Sequence, residues 1–153
     1  VRRESAMQRA RDLLKDKKKE TWFISQKSSV FDALKLMGEK EIGALMVMDE
    51  KDTILGIITE RDYARKVILK GKTSRDTRVE EIMTPADKMF TVKPDTSVAD
   101  CMVLITGKRI RHVPVYDNEK YIGLISIGDV VKSVISAKDL LIDQLSNYIS
   151  GKY

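Results

Sequence analysis

Apolar positions along this chain alternate between two spacings, one of helical period and one of short continuous runs, and the alternation happens twice. Ala6, Met7, Ala10, Leu13 and Leu14 recur at three- and four-residue intervals, which predicts an amphipathic leader helix before Lys15. Trp22-Phe23-Ile24 then reads as a short extended segment, and Phe90-Thr91-Val92 as its later counterpart. Val30, Ala33, Leu34 and Met37, and again Val98, Cys101, Met102 and Ile105, fall on one face of a helix. Ser29 with Asp32, and Ser97 with Asp100, supply the start signals of these two helices. Each helix yields to an apolar run, 44–48 and 113–116. Asp49-Glu50-Lys51-Asp52 and Asp117-Asn118-Glu119-Lys120 separate these runs from second strands over 55–58 and 122–125. A helix is expected after each hairpin, from Thr59 to about Lys70 and from Ser126 to about Val134. Val79-Glu80-Glu81-Ile82-Met83 predicts a short helix stopped by Pro85. A separate last helix, capped by Ser136 and Asp139, carries Leu140, Leu141, Leu145, Tyr148 and Ile149 and ends at Gly151.

The doubling is a repeat. Val30 and Val98 lie 98 − 30 = 68 residues apart, while Gly56 and Gly123 lie 123 − 56 = 67 apart, so one residue is lost in the second hairpin turn. Two copies are fewer than the roughly three a solenoid needs, and a closed pseudo-symmetric pair is the better reading. The expected fold is therefore α/β, two βαββα repeats packed as a pair, with extra helices at both ends. The expected organisation is a helical leader over 1–20, a first repeat over 21–70, a linker with its short helix over 71–88, a second repeat over 89–135 and a terminal helix over 136–153.

Composition narrows the function classes. At 153 residues the chain can bury about two-thirds of its extended surface. Its 42% hydrophobic and 33% charged residues include no run near the roughly 18 apolar residues that mark a membrane helix. The net charge of +5 is spread through short runs such as 15–20 and 69–76 that acids interrupt. Those runs read as solvated loops, so nucleic acid is not expected as the primary partner. The single cysteine, Cys101, stands at the place of Ala33 and reads as a buried helix residue. Without an internal disulfide the chain fits a reducing compartment.

Gly56-Ile57-Ile58-Thr59-Glu60-Arg61-Asp62 and Gly123-Leu124-Ile125-Ser126-Ile127-Gly128-Asp129 are the strongest paired motifs. Together with Arg109-Ile110-Arg111-His112-Val113-Pro114-Val115 and Ile82-Met83-Thr84-Pro85, they make residues 22–135 resemble the tandem cystathionine-β-synthase (CBS) domain pair, or Bateman module. Within that family the chain is similar to small stand-alone pairs of bacteria and plant organelles. The resemblance implies a non-enzymatic regulatory module. Its clefts between the repeats would take AMP, ADP, ATP, NAD(H) or S-adenosylmethionine as regulatory ligand, with no obligatory cofactor, and it would signal to a partner by conformational change. It also implies a homodimer formed through helix faces in a flat disc. Plant relatives suggest a thioredoxin-like regulated partner.

Carried over residue by residue, Asp62 and Asp129 accept hydrogen bonds from ribose hydroxyls, while Thr59 and Ser126 hold phosphate at helix starts. The chemistry suits such a turn, because a helix N-terminus offers unpaired N–H groups and the positive end of its dipole. Ile24, Ala44 and Ile58 in one copy, and Val92, Val113 and Ile125 in the other, would form the apolar slot for adenine. Arg109, Arg111 and His112 would reach the phosphates of the nucleotide whose ribose sits on Asp62. The first copy has Ile42-Gly43-Ala44 at the matching place, so the two sites should differ, with multiply charged phosphates preferred at Asp62. The same Thr/Ser-x-x-Asp spacing is also that of a plain capping box, which needs no ligand.

A lone histidine, His112, without a second cysteine or histidine at ligand spacing, supplies no metal set. No catalytic residues are assigned, since neither a nucleophile–base order nor a Walker-type glycine loop occurs. The competing class is a ligand-free interaction or dimerisation scaffold, with Met7, Leu13, Leu14 and Leu141, Leu145, Ile149 as contact faces. A cytoplasmic location is expected if the chain is bacterial, and a mitochondrial or plastid one if it is a plant relative. Neither secretion nor a membrane partner is expected.

Overall fold

The computed structural model describes residues 8–15 and 22–151, with 137–140 in backbone only. Ala6 and Met7 of the expected leader, and the side chains of Asp139 and Leu140, lie outside the described residues. In chain order the elements are α1 (Ala10–Lys15), β1 (Phe23–Ser25), α2 (Val30–Lys40), β2 (Ala44–Met48), β3 (Ile54–Thr59), α3 (Glu60–Lys66), α4 (Val79–Ile82), β4 (Thr84–Pro85), α5 (Val98–Lys108), β5 (His112–Asp117), β6 (Lys120–Ser126) and α6 (Ile127–Ser150). They form two units, one over Glu20–Met89 and one combining Val1–Lys19 with Phe90–Tyr153.

In the Glu20–Met89 unit β1 pairs parallel to β2, β2 antiparallel to β3, and β3 antiparallel to β4. α2 begins where the Ser29 hydroxyl accepts the Asp32 N–H at 3.0 Å. It ends at Glu41, left-handed at φ 55°, whose N–H returns to the Met37 carbonyl. Its inward residues Val30, Ala33 and Met37 meet Leu45, Val47 and Ile58 of the hairpin and Val79 and Ile82 of α4. Each large aliphatic so buried contributes about 1.5–3 kcal/mol relative to exposure. β4 was not expected from sequence. It lies so close to β3 that a Cβ on Gly56 would stand 2.2 Å from the Thr84 carbonyl oxygen.

The second unit repeats this plan. Ser97 caps α5 by accepting the Asp100 N–H at 3.0 Å, and Arg109 ends the helix at φ 55° as Glu41 ends α2. β5 and β6 pair antiparallel, with an irregularity between Val115 and Tyr116 where the first hairpin has one between Val47 and Met48. Val98, Cys101 and Ile105 join Val113, Val115, Ile125 and Val130 in the core. Cys101 occupies the place of Ala33, as its spacing predicts.

Four expectations are corrected. Phe90-Thr91-Val92 forms no strand beyond a single parallel bridge from Val92 to Val115. The equivalent of Gln26, whose N–H donates to the Met48 carbonyl at 3.0 Å, is Pro94, which has no N–H to give. The helix after Thr59 stops at Lys66; Val67, fully buried, turns the chain into a 3-10 turn over Ile68–Lys70 that closes on Gly71 at φ 73°. The two helices expected after Ser126 are one 24-residue helix, α6. Neither Gly nor Pro occurs from 129 to 150, and interior Ser or Asp costs only about half a kcal/mol each.

The fourth correction concerns the leader, which is no addition outside the repeat. Its backbone bonds to the second repeat through Ala10 N–H to Thr96 O (2.8 Å), Arg11 N–H to Pro94 O (2.9 Å) and Val98 N–H to Gln8 O (3.0 Å). Ala10 and Leu13 are buried in that unit's core, and Leu14 lies over Gly123. In the first unit the linker does the same work. Arg78 bridges Ser29 as Arg9 bridges Ser97, and Val79 and Ile82 stand where Ala10 and Leu13 stand.

Candidate functional site

The two chemically marked turns are the strand-to-helix junctions after β3 and β6. At the first, Thr59 ends β3 in extended conformation, and its hydroxyl accepts the Asp62 N–H at 3.2 Å. Asp62 Oδ2 in return accepts the Thr59 N–H at 2.9 Å and the Thr59 hydroxyl at 3.3 Å. The other oxygen, Oδ1, is 3.1 Å from the Lys66 ammonium, one helical turn on, and that ammonium also donates to the Ile82 carbonyl at 2.9 Å. The buried Asp62 carboxylate thus spends one oxygen on the cap and the other on a lysine. Asp62–Lys66 at i,i+4 was a legible pair that motif reading passed over.

At the second turn the Ser126 N–H donates to Asp129 Oδ2 at 2.8 Å, and the Ser126 hydroxyl accepts the Asp129 N–H at 3.2 Å. Lys66 is replaced by Ser133, whose hydroxyl donates to the Gln8 side-chain carbonyl of the leader. The residues opening the helices also differ: Glu60 and Arg61 in α3, Ile127 and Gly128 in α6.

The bases expected to serve phosphate gather at the second turn of their own unit. His112 pairs in register with Ser126, and the Arg111 carbonyl accepts the Ile127 N–H at 2.8 Å. In the first unit Ala44 pairs with Thr59, and the Gly43 carbonyl accepts the Glu60 N–H at 3.1 Å. Arg111 and His112 therefore match Gly43 and Ala44. Arg109 matches Glu41 rather than Ile42, since both cap their helices at φ 55°. At that position the copies carry opposite charges. Arg109 and Arg111 are exposed and His112 half-buried.

The expected apolar walls fare unevenly. Ile24 is half-buried on β1 next to Val47 of β2. Ile58, Val113 and Ile125 have no exposed surface and pack in the cores of their own units. Ala44 and Val92 are nearly as buried. Alternation along β2 puts Leu45 and Val47 on the face of the α2 core and Ala44 on the other. Cys101 lies in the core, and burial, with the charge of Asp100 added, pushes its thiol above the ordinary range. Such a thiol is a poor nucleophile and metal ligand. Among the described residues, no three His, Cys, Asp or Glu side chains are grouped to hold a metal ion.

Comparison with known proteins also finds two repeats. The CBS domain signature matches residues 10–69 and 79–141. The CBS domain-containing protein CBSX3, mitochondrial, of Arabidopsis thaliana is 42% identical over 148 residues, 93% of this chain and 72% of that protein. A solved structure of a protein with CBS domains from Burkholderia ambifaria MC40-6 superposes with a TM-score of 0.79 at 51% identity, covering 84% of this chain and 95% of that one. The hexameric CBS-CP12 protein from bloom-forming cyanobacteria superposes with a TM-score of 0.70 at 31% identity, over 82% and 67% of the two chains. No helix among the described residues is long and apolar enough to cross a membrane.

Proposed function

The chain belongs to the CBS-domain family, and on that premise we propose that it is a sensor of adenosine-containing ligands, with Asp62 and Asp129 as its ribose acceptors. CBS-pair proteins are generally regulatory, non-catalytic modules. The observation that carries the reading is the pair of capping boxes in equivalent register, each following a strand whose last residues before the cap are a glycine and two aliphatics. A carboxylate has about four acceptor sites, so Asp62 and Asp129 can accept from a vicinal diol as well as close their caps, and the hydroxyl of Thr59 or Ser126 stands beside the N–H groups that favour phosphate. Arg109 and Arg111 supply the positive charge, and His112 a hydrogen-bonding ring nitrogen, that AMP, ADP, ATP or NAD(H) needs; S-adenosylmethionine needs less charge. Ligand then acts on a partner only through its different affinities for two arrangements of the protein.

A thermal-shift panel tests the class. A ligand that binds the folded state alone at one hundred times its Kd adds about 2.7 kcal/mol. At least one of AMP, ATP, NAD(H) or S-adenosylmethionine should raise the midpoint at millimolar concentration, and no response to any of them would overturn the reading. The second reading, a ligand-free scaffold, is favoured by one observation: Leu141, Leu145 and Ile149 of α6 are more than half exposed. The hexameric state of the CBS-CP12 protein supports assembly as a use of this fold. A thioredoxin-like partner, and a mitochondrial compartment like that of the Arabidopsis protein, rest on resemblance and belong to the same proposal.

A further inference from the structure

Each capping-box turn is tied to the segment that closes its unit, and the tie comes from the residue one helical turn after the aspartate. Past Asp62, the Lys66 ammonium bridges Asp62 Oδ1 at 3.1 Å and the Ile82 carbonyl, at the end of α4, at 2.9 Å. Past Asp129, the Ser133 hydroxyl donates to the side-chain carbonyl of Gln8, just ahead of α1. The two closing segments correspond residue by residue. The Thr77 carbonyl accepts the Val30 N–H at 2.8 Å, as the Gln8 carbonyl accepts the Val98 N–H at 3.0 Å. Thr77 and Gln8 are therefore equivalent, and so are Ile82 and Leu13. Lys66 and Ser133 thus hold opposite ends of equivalent segments, one by charge and one by a neutral bond.

Neither tie is required by the local fold. The capping boxes close on Thr59 and Ser126, and the Lys66 side chain is 45% exposed, so it fills no core. What the ties reach is more telling. The chain passes from one unit to the other after Lys19 and after Met89, and α1 and α4 are the last described α-helices before those crossings. A vicinal diol donating to Asp62 draws on the same carboxylate charge that holds Lys66. Binding therefore weakens the ammonium's bond to Oδ1, and with it the hold of the turn on Ile82.

We propose, resting on the ligand reading of these turns, that Lys66 and Ser133 are positioning residues that carry occupancy of Asp62 and Asp129 to the closing segment of their own unit. Hydrogen exchange at the Met83 amide, whose bond to the Val79 carbonyl ends α4, reads the first tie. Without ligand, Lys66→Met in the full chain should speed that exchange about fivefold, and Lys66→Arg should restore most of the protection. Asp62→Asn combined with Lys66→Met should exchange no faster than the faster single variant, and a full product of the two effects would overturn the tie. At the second turn Ser133→Ala should speed exchange of the Ala10 amide, and an unchanged rate there would overturn the proposal for Ser133. Next, take from AMP, ATP, NAD(H) and S-adenosylmethionine a ligand whose binding Asp62→Asn weakens. At saturation it should speed Met83 exchange in the parent and leave Lys66→Met unchanged. Parent exchange that stays constant or slows, or the same change in Lys66→Met, would overturn the proposal while ligand binding at Asp62 stands. So would loss of binding in Lys66→Met, which would make Lys66 a ligand contact. If Asp62→Asn weakens none of the four, the ligand reading of that turn falls and the transmission with it, while the ligand-free comparison still decides the tie.

Discussion

The two units are built to one plan but closed by different parts of the chain, and the comparison separates what the repeat needs from what each copy does. The first is closed by its own linker, α4 and β4; the second is closed by the leader, which precedes the first repeat in sequence. The first helix and the hairpin of each unit are equivalent, down to helix ends at Glu41 and Arg109 in the same left-handed conformation. Chemically they diverge at those very residues and at the turns beside them. One turn has Asp62 against Lys66, with Glu41, Gly43 and Ala44 behind it. The other has Asp129 with Ser133, and Arg109, Arg111 and His112 behind it. Scaffold positions are shared, and charged positions are where the copies part.

The largest expected effect tests the structural equivalence. Leu13→Ala and Ile82→Ala should each cost about 2–5 kcal/mol in denaturant unfolding, because each removes a core side chain at the matching place. A leader lying outside the domain would leave Leu13→Ala nearly silent. Next comes the approach of each closing segment to its glycine. Gly56→Ala drives a Cβ against the Thr84 backbone and should cost about 1–3 kcal/mol, whereas at Gly123 the Cβ meets the movable end of Leu14 and the loss should be smaller. Equal losses would show that the leader holds its strand as rigidly as the linker does.

Much of this plan was legible in the sequence, for physical reasons. The helical stripes, both hairpins and the capping boxes are local patterns, and the structure places them within a residue or two of expectation. The docking of α1 was not legible, since nothing local in Ala10, Leu13 and Leu14 says which of two similar repeats they cover. The sequence motif places Arg109 opposite Ile42, whereas the shared left-handed helix ends place it opposite Glu41. Apolar strand residues look alike in sequence, so the full burial of Ile58, Val113 and Ile125 is known only from the structure. The break at Val67 and the fusion of the last two helices were missed for opposite reasons: a buried β-branched residue ended one helix without a Gly or Pro, and Ser136 failed to end the other.

Two smaller effects sharpen the comparison. Ser29→Ala and Ser97→Ala each remove one capping bond and should cost about 1 kcal/mol apiece, providing a stability reference for cap loss without any ligand role. The smallest effect follows from Ala33 and Cys101. Burial raises the folded thiol's pKa above its unfolded value, so above the ordinary thiol range, about pH 8.5, the unfolded chain releases the proton first and stability falls as pH rises. Cys101→Ala, which copies the first repeat, should flatten that slope, and alkylation of the native thiol at pH 8 should be much slower than of the unfolded one.

The central claim is that the two turns hold adenosine ligands and differ in what they hold. Calorimetric titration of the parent, Asp62→Asn and Asp129→Asn with AMP, ATP and S-adenosylmethionine tests it most directly. Losing a charged acceptor should weaken the affected site at least about tenfold, and the variants should differ in which ligand suffers. The account predicts that one substitution weakens phosphorylated ligands disproportionately, identifying the carboxylate that Arg109, Arg111 and His112 serve. Parent-like titrations for both variants, or identical losses for all three ligands at both sites, would contradict it.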